Sequence, residues 1–232
     1  MLTHYPYDSL GQTNYGWLDA KYHFSFASYY NPKRMGFGTL RVINDDTVKA
    51  GAGFDTHPHK NMEIITFVRQ GAITHRDSKG NVGRTAAGDV QVMSAGTGIH
   101  HSEYNLESED TTLFQIWIEP NQLDVEPQWG SHQFPHSASQ DELVLLVSGD
   151  GNAPLSIHQD AYIYAGNLIQ GASVDQKIQH QAYIVIAEGS LSVGDKTLSK
   201  GDGLEVEDLA EINLQTLTDT KFLVIDAPKQ ND

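Results

Sequence analysis

Short apolar runs rich in β-branched and aromatic residues recur at residues 64–68, 90–93, 113–118, 143–147, 183–187, 204–206 and 222–225, separated by Gly, Asn and Asp turn signals. This spacing predicts an all-β protein. Ser78-Lys79-Gly80-Asn81 and Gly194-Asp195-Lys196 read as hairpin turns between paired strands, and no long helical period is visible.

A loose internal repeat organises these strands. ITFVRQG ending at Gly71, a hairpin and AAGDVQVM from Ala86 are echoed by YIVIAEG ending at Gly189, a shorter hairpin and SKGDGLEV from Ser199. Each copy reads strand, glycine turn, hairpin, Gly-Asp turn, strand. The segment between them, VEPQWGSHQFPHSASQ, carries two prolines and no alternation, as a linker does. Two domains are therefore expected, residues 1–133 and 134–232.

Composition narrows the function classes. Thirty acidic against fifteen basic residues give a net charge of −15, which disfavours direct binding to nucleic acid or an anionic membrane. With no cysteine there are no disulfides, thiolate metal sites or cysteine nucleophiles. The opening MLTHYPYDSLGQTNYGW lacks a basic start followed by an apolar run, and no apolar stretch is long enough to span a bilayer. A soluble cytoplasmic protein is the expectation.

The chemistry concentrates in His57-Pro58-His59, with Glu63 four residues on, and in His100-His101-Ser102-Glu103. Side chains at i and i+2 of a strand leave the same face, so His57 and His59 point together, and so do His101 and Glu103. Two such pairs on facing strands surround one ion. Isolated histidines usually serve as core or surface residues. Here two pairs occur, each preceded by turn glycines, Gly51 and Gly53 or Gly96 and Gly98. Three imidazoles and one carboxylate suit a divalent iron, copper, nickel, manganese, cobalt or zinc ion and leave it Lewis acidic. His100 faces away from His101 in a regular strand and is left outside the ligand set. Transferring the ligand offsets to the second copy lands on Asp175, Lys177, Gln181, Leu214 and Thr216, so that copy has lost the site, and His180 nearby reads as structural.

The same residues resemble the two cupin motifs, and their arrangement is similar to the pirin family. His57-Pro58-His59-Lys60-Asn61-Met62-Glu63 matches that family's H-P-H-K/R followed by D/N-M-E, and the run from Ser94 to Glu103 matches S/T-A-G-x-G-I-x-H-S-E. Phe24-Ser25-Phe26, with aromatics and Pro32 beyond, matches its N-terminal segment. Tyr22-His23 and His100 depart from the family pattern. The chain's length is closer to compact bacterial members that resemble quercetin 2,3-dioxygenase than to animal pirins.

The resemblance implies an all-β bicupin of two jelly-roll barrels, with one metal, Fe(II) by family preference, held by His57, His59, His101 and Glu103 in the first. It places Glu63 near the site as a hydrogen-bonding partner. It also implies a dioxygenase acting on a flavonol or similar enolisable aromatic with O2. Glu103 would be the base, and Phe54, Ile64, Phe67 and Met93 would be candidate pocket walls, although core packing explains these four equally well. The rival implied by the same family is a metal- or redox-responsive regulator that acts through a protein partner.

Overall fold

In the computed structural model, which describes residues 1–134, 136–139 and 141–230, every one of the apolar runs becomes a strand. The run at 143–147 starts one residue late, at Val144. The first half of the chain forms β1 (Leu2–Tyr5), β2 (Gly11–Asn14), β3 (Leu18–Tyr22), β4 (Leu40–Val48), β5 (Gly53–His59), β6 (Glu63–Gln70), β7 (Ala72–Asp77), β8 (Val82–Ala86), β9 (Val90–Ser94), β10 (Ile99–Tyr104), β11 (Thr111–Ile118) and β12 (Gln128–His132). The second half forms β13 (Val144–Ser148), β14 (Leu155–Ser156), β15 (Tyr162–Leu168), β16 (Ser173–Lys177), β17 (Gln181–Glu188), β18 (Ser190–Val193), β19 (Lys196–Ser199), β20 (Gly203–Val206), β21 (Glu211–Thr216) and β22 (Thr220–Ala227). Both expected hairpins are present, joining β7 to β8 and β18 to β19.

The internal repeat is visible in the topology. One seven-stranded sheet runs β12-β9-β6-β11-β4-β3-β2 and the other β1-β20-β17-β22-β15-β13-β14. The four-stranded sheets run β5-β10-β7-β8 and β16-β21-β18-β19. Within each half the strands therefore pair in the same order, and the chain is a bicupin. The repeat glycines end equivalent strands in the left-handed region, Gly71 at φ 74° and Gly189 at φ 79°. A Cβ would meet Thr111 Oγ1 at 2.5 Å at the first and the Asp219 carbonyl at 2.1 Å at the second, so both positions exclude side chains.

One feature crosses the expected division at residue 133, and another departs from the linker reading. β1 lies on the edge of the second half's sheet, paired with β20. The segment read as a linker contains β12, which pairs with β9 across Trp129 and Met93. Its polar alternation is weak because it forms a sheet edge, where one row of backbone groups stays unpaired.

The two large sheets pack against one another. Ile65, Phe114, Ile116 and Ile118 from the first join Tyr183, Val185, Leu223 and Ile225 from the second in one buried cluster. Alternate residues on the same strands point the other way, into each half's own barrel. Strands covered on both faces read as continuous apolar runs, which is why these were the most legible elements in the sequence. Each such aliphatic side chain contributes roughly 1.5–3 kcal/mol when fully buried.

Candidate metal centre

β5 and β10 are antiparallel neighbours in one four-stranded sheet, with His57 directly opposite His101. The expected facing strands are thus adjacent strands. β5 is an edge strand, so the missing N–H of Pro58 leaves no gap in the ladder. Potential donor atoms of His57, His59 and His101 lie within 4.8 Å of one another. His57 Nε2 stands 3.0 Å from His101 Nε2, and the three ring centroids are 4.5 to 5.0 Å apart. His57 donates from Nδ1 to the Asp55 carbonyl at 2.6 Å, which leaves its Nε2 lone pair facing the other rings.

The electrostatics suit a cation. Burial, followed by the neighbouring His57, lowers the pKa of His59 to about 4. Burial, then His57, His59 and His75, lowers that of His101 to about 2. Both rings are therefore neutral at physiological pH and offer lone pairs. Burial pushes the Glu103 carboxyl upward, opposed by His75 and by hydrogen bonds from Gln115 and Thr66. The donor set fits one divalent transition metal.

Glu103 follows a register shift between His101 and Glu103 and is 2% exposed. Its carboxylate does not join the three-imidazole group. Oε1 accepts from Thr66 Oγ1 at 3.2 Å and from Gln91 Nε2, and Oε2 accepts from Gln115 Nε2 at 2.6 Å. A carboxylate oxygen accepts about two hydrogen bonds in its plane, so Oε2 keeps one site free. Asp46, on the same barrel wall, is raised well above its ordinary range by burial, then by Asp45 and Glu103.

All four sequence-identified residues line a cavity of about 610 Å³. Trp17, Phe26, Phe54 and Trp117 make its aromatic wall, with Trp17 edge-on to Phe54 and Phe26 edge-on to Trp117. Phe54 and Ile64 line it as expected, whereas Met93 packs in the cluster behind it. Phe67 borders a separate cleft between the halves, because it faces the opposite way from Ile64 and Thr66. Glu63 also leaves the opposite face of β6 from Ile64. It accepts from Ser94 Oγ at 2.6 Å and has no hydrogen bond to the three imidazoles, so it is not their partner. His100 is exposed, pointing away from His101 as anticipated.

Sequence reasoning missed His75 and Asp77 on β7 and the polar wall formed by Asn44, Asp46 and Gln115. His75-x-Asp77 is itself an i, i+2 pair, and Gln115 interrupts an apolar run, so both signals were present. In the second copy, the inward positions opposite β21 are Val174 and Gln176, one residue before those counted from the sequence; Asp175 and Lys177 are exposed. The absence of ligands there holds with the corrected register. His180 pairs with Asp160 at 3.1 Å. Among the described residues, no helix is long and apolar enough to cross a membrane.

Comparison with known proteins agrees with this architecture. A family model named Pirin matches residues 5–118, and one for a quercetinase C-terminal cupin domain matches residues 145–227. A Pseudomonas aeruginosa protein provisionally named a quercetin 2,3-dioxygenase is 50% identical, over 97% of this chain and 99% of its own. A protein named quercetin 2,3-dioxygenase from Escherichia coli is 41% identical, over 94% of this chain and 95% of its own. The crystal structure of the bacterial pirin YhhW from Escherichia coli in complex with nickel(II) superposes with a TM-score of 0.93 at 39% identity, covering 99% of this chain and 100% of that one. On these matches, and on a bicupin fold with three histidines grouped in its first barrel, the chain belongs to the pirin family.

Proposed function

We propose that this chain is a metal-dependent dioxygenase that opens a flavonol-type ring with O2 and releases carbon monoxide. His57, His59, His101 and Glu103 are the proposed ligands, and Fe(II) the proposed occupant; the nickel(II) complex of the YhhW relative supports a site for a divalent first-row metal. The observation that carries this reading is the junction of three grouped imidazoles with an aromatic-walled cavity of about 610 Å³, a size that encloses a small polycyclic ligand. The name of the 41% identical Escherichia coli relative points to the same substrate class. The cysteine-free chain suits the reducing cytoplasm, where we place it.

When bound, the metal supplies Lewis acidity that makes the enol hydroxyl of the substrate a stronger acid. Glu103 would take that proton at the one unused position on Oε2, giving up its bond to the metal as it does so, while Gln91, Thr66 and Gln115 hold the carboxylate still. The aromatic wall orients the flat rings and excludes water. One O2 is added across ring carbons 2 and 4, carbon 3 leaves as CO, and both oxygen atoms remain in the ester-acid product, so the reaction balances without a further reductant.

The test is anaerobic loading with iron(II), nickel(II), copper(II) or manganese(II), followed by quercetin and air, with flavonol absorbance and CO measured together. Turnover that disappears in His57→Ala and Glu103→Ala is expected. A metal-loaded protein that turns over no flavonol under any of these conditions overturns the oxygenase reading and favours a regulator that acts through a protein partner.

A further inference from the structure

Behind His101, on the side away from the other two imidazoles, β7 contributes two groups with no solvent exposure in their side chains, His75 and Asp77. They form a chain of hydrogen bonds. Asp77 Oδ1 accepts from the backbone amides of Lys79 at 2.9 Å and Asn81 at 3.1 Å, and its Oδ2 accepts from Asn81 Nδ2 at 2.9 Å. Oδ2 also stands 2.9 Å from His75 Nε2. At the other end of the ring, His75 Nδ1 is 3.4 Å from His101 Nδ1. Trp129 stacks on the His75 ring at 4.9 Å with an interplanar angle of 11°, fixing its plane.

An ionised carboxylate can only accept, so with a neutral His75 the direction of every hydrogen bond in the chain follows from the Asp77 end. His75 donates from Nε2 to Asp77, which makes its Nδ1 an acceptor. His101 then donates from Nδ1, and its Nε2 lone pair is left free toward His57. Against burial, which acts in the opposite direction, the hydrogen bonds from His75, Asn81 and Lys79 hold the Asp77 carboxyl below its ordinary range, consistent with the ionised form.

We propose that Asp77 and His75 are positioning residues that set the tautomer of His101 and thereby its competence to bind metal. This rests on the metal-site reading above. The second barrel supports it independently. There, Thr216 lies opposite Leu191 as Glu103 lies opposite His75, and Leu214 lies opposite Val193 as His101 lies opposite Asp77. Where the ligands have become Leu214 and Thr216, the pair behind them has become Leu191 and Val193, so the two features are present together or absent together.

Asp77→Asn tests the direction of the relay. With its oxygen kept on the two backbone amides and the Asn81 amide turned to present its oxygen, the new NH2 faces His75 Nε2 and reverses each bond, so that His101 carries its proton on Nε2 and is blocked for the metal. His75→Phe keeps the stack on Trp129 but leaves the tautomer of His101 free. A relay predicts that Asp77→Asn weakens nickel(II) or cobalt(II) binding more than His75→Phe does, with losses in the 10- to 100-fold range typical of groups behind metal ligands. A purely structural role predicts the reverse order, since Asp→Asn is the gentler change. In parallel, ¹⁵N NMR of the metal-free protein reads the tautomer directly. The expected result is Nδ1–H on His101 in the wild type and Nε2–H in Asp77→Asn. Nε2–H in the wild type, or unchanged metal affinity in Asp77→Asn while His57→Ala abolishes binding, overturns the relay. Full metal binding by His57→Ala overturns the metal-site reading instead, and the NMR result then still decides the relay.

Discussion

The two barrels share one topology and differ in what fills them. In the first, Thr66 on β6 lies opposite both Gln91 and Gln115, and these three hold Glu103. At the matching place in the second, Ile184 on β17 lies opposite Leu204 and Val224. Asn44, opposite Gln115, becomes Tyr164, opposite Val224. The second barrel is thus a packed aliphatic core of Val174, Ile184, Leu191, Val193, Leu204 and Leu214 with their neighbours. The first keeps a cavity lined by titratable groups, and three of its buried acceptors, Asn44 Oδ1, Asp46 Oδ1 and Gln115 Oε1, have no hydrogen-bond partner among the described residues. Polar groups buried in this way cost about 1–3 kcal/mol each. One copy carries that cost as the condition of having a site, and the other supplies packing without one.

Transplanting a ligand into the filled barrel has the largest expected effect. Leu214 is fully buried in the aliphatic core and occupies the place of His101. Leu214→His removes apolar contacts and buries an imidazole with no partner, so a loss of about 3–5 kcal/mol is expected. For a chain of this size that lowers Tm by roughly 10 °C. An unchanged melting temperature would show that the second barrel has the room of the first, and the contrast drawn here would fail.

Acid probes the seam between the two copies. His23, from the first half, is fully buried and lies 2.9 Å from the Tyr183 hydroxyl of the second. Burial, then Arg34 and Arg69, lowers its pKa to about 3. As pH falls below the unfolded value of about 6.5, the unfolded chain takes up a proton that the folded chain refuses, so stability present above that value is lost progressively down to the folded pKa. At pH 5 this group alone costs about 2 kcal/mol. Urea midpoints at pH 7 and pH 5 should therefore converge in His23→Gln relative to the wild type. Equal shifts in both proteins would locate the acid sensitivity elsewhere, with His59 and His101 the next groups to examine.

Much of this contrast was legible beforehand, for a physical reason. Strands covered on both faces must be apolar throughout, so β6, β9, β11, β17 and β22 announced themselves, and the ligand pairs stood out because His at i and i+2 has few other uses in a strand. β4 did not. Its sequence, LRVINDDTV, reads as polar, and only the closed barrel reveals that Asn44 and Asp46 face a cavity wall. The membership of β1 in the second sheet was also hidden, because backbone pairing between residues about 200 apart leaves no local pattern. The one-residue error in mapping the first ligand pair to the second copy arose because four residues separate Gln176 from Gln181 where three separate His59 from Glu63, and the side-chain face flips with every residue.

The smallest expected effect is also the most specific to the first barrel. Asp46 is 2% exposed, and its Oδ1 has no hydrogen-bond partner among the described residues. Its folded pKa is raised well above the ordinary value, first by burial and then by Asp45 and Glu103. Below pH of about 4 both folded and unfolded forms are protonated, and the residue contributes no pH-dependent cost. As pH rises, the unfolded chain ionises while the folded chain resists, so the wild type loses stability toward neutrality. Asp46→Asn removes that term while keeping the size of the side chain. It should therefore stabilise the metal-free protein by about 1–2 kcal/mol at pH 7 and by progressively less as pH approaches 4. The change has no counterpart in the second barrel, where Gly166, opposite Phe222, takes the place of Asp46, opposite Leu113. A gain that is independent of pH would assign the cost to shape instead of charge, and a loss at pH 7 would mean that Asp46 is satisfied within the cavity and belongs to the binding surface proper.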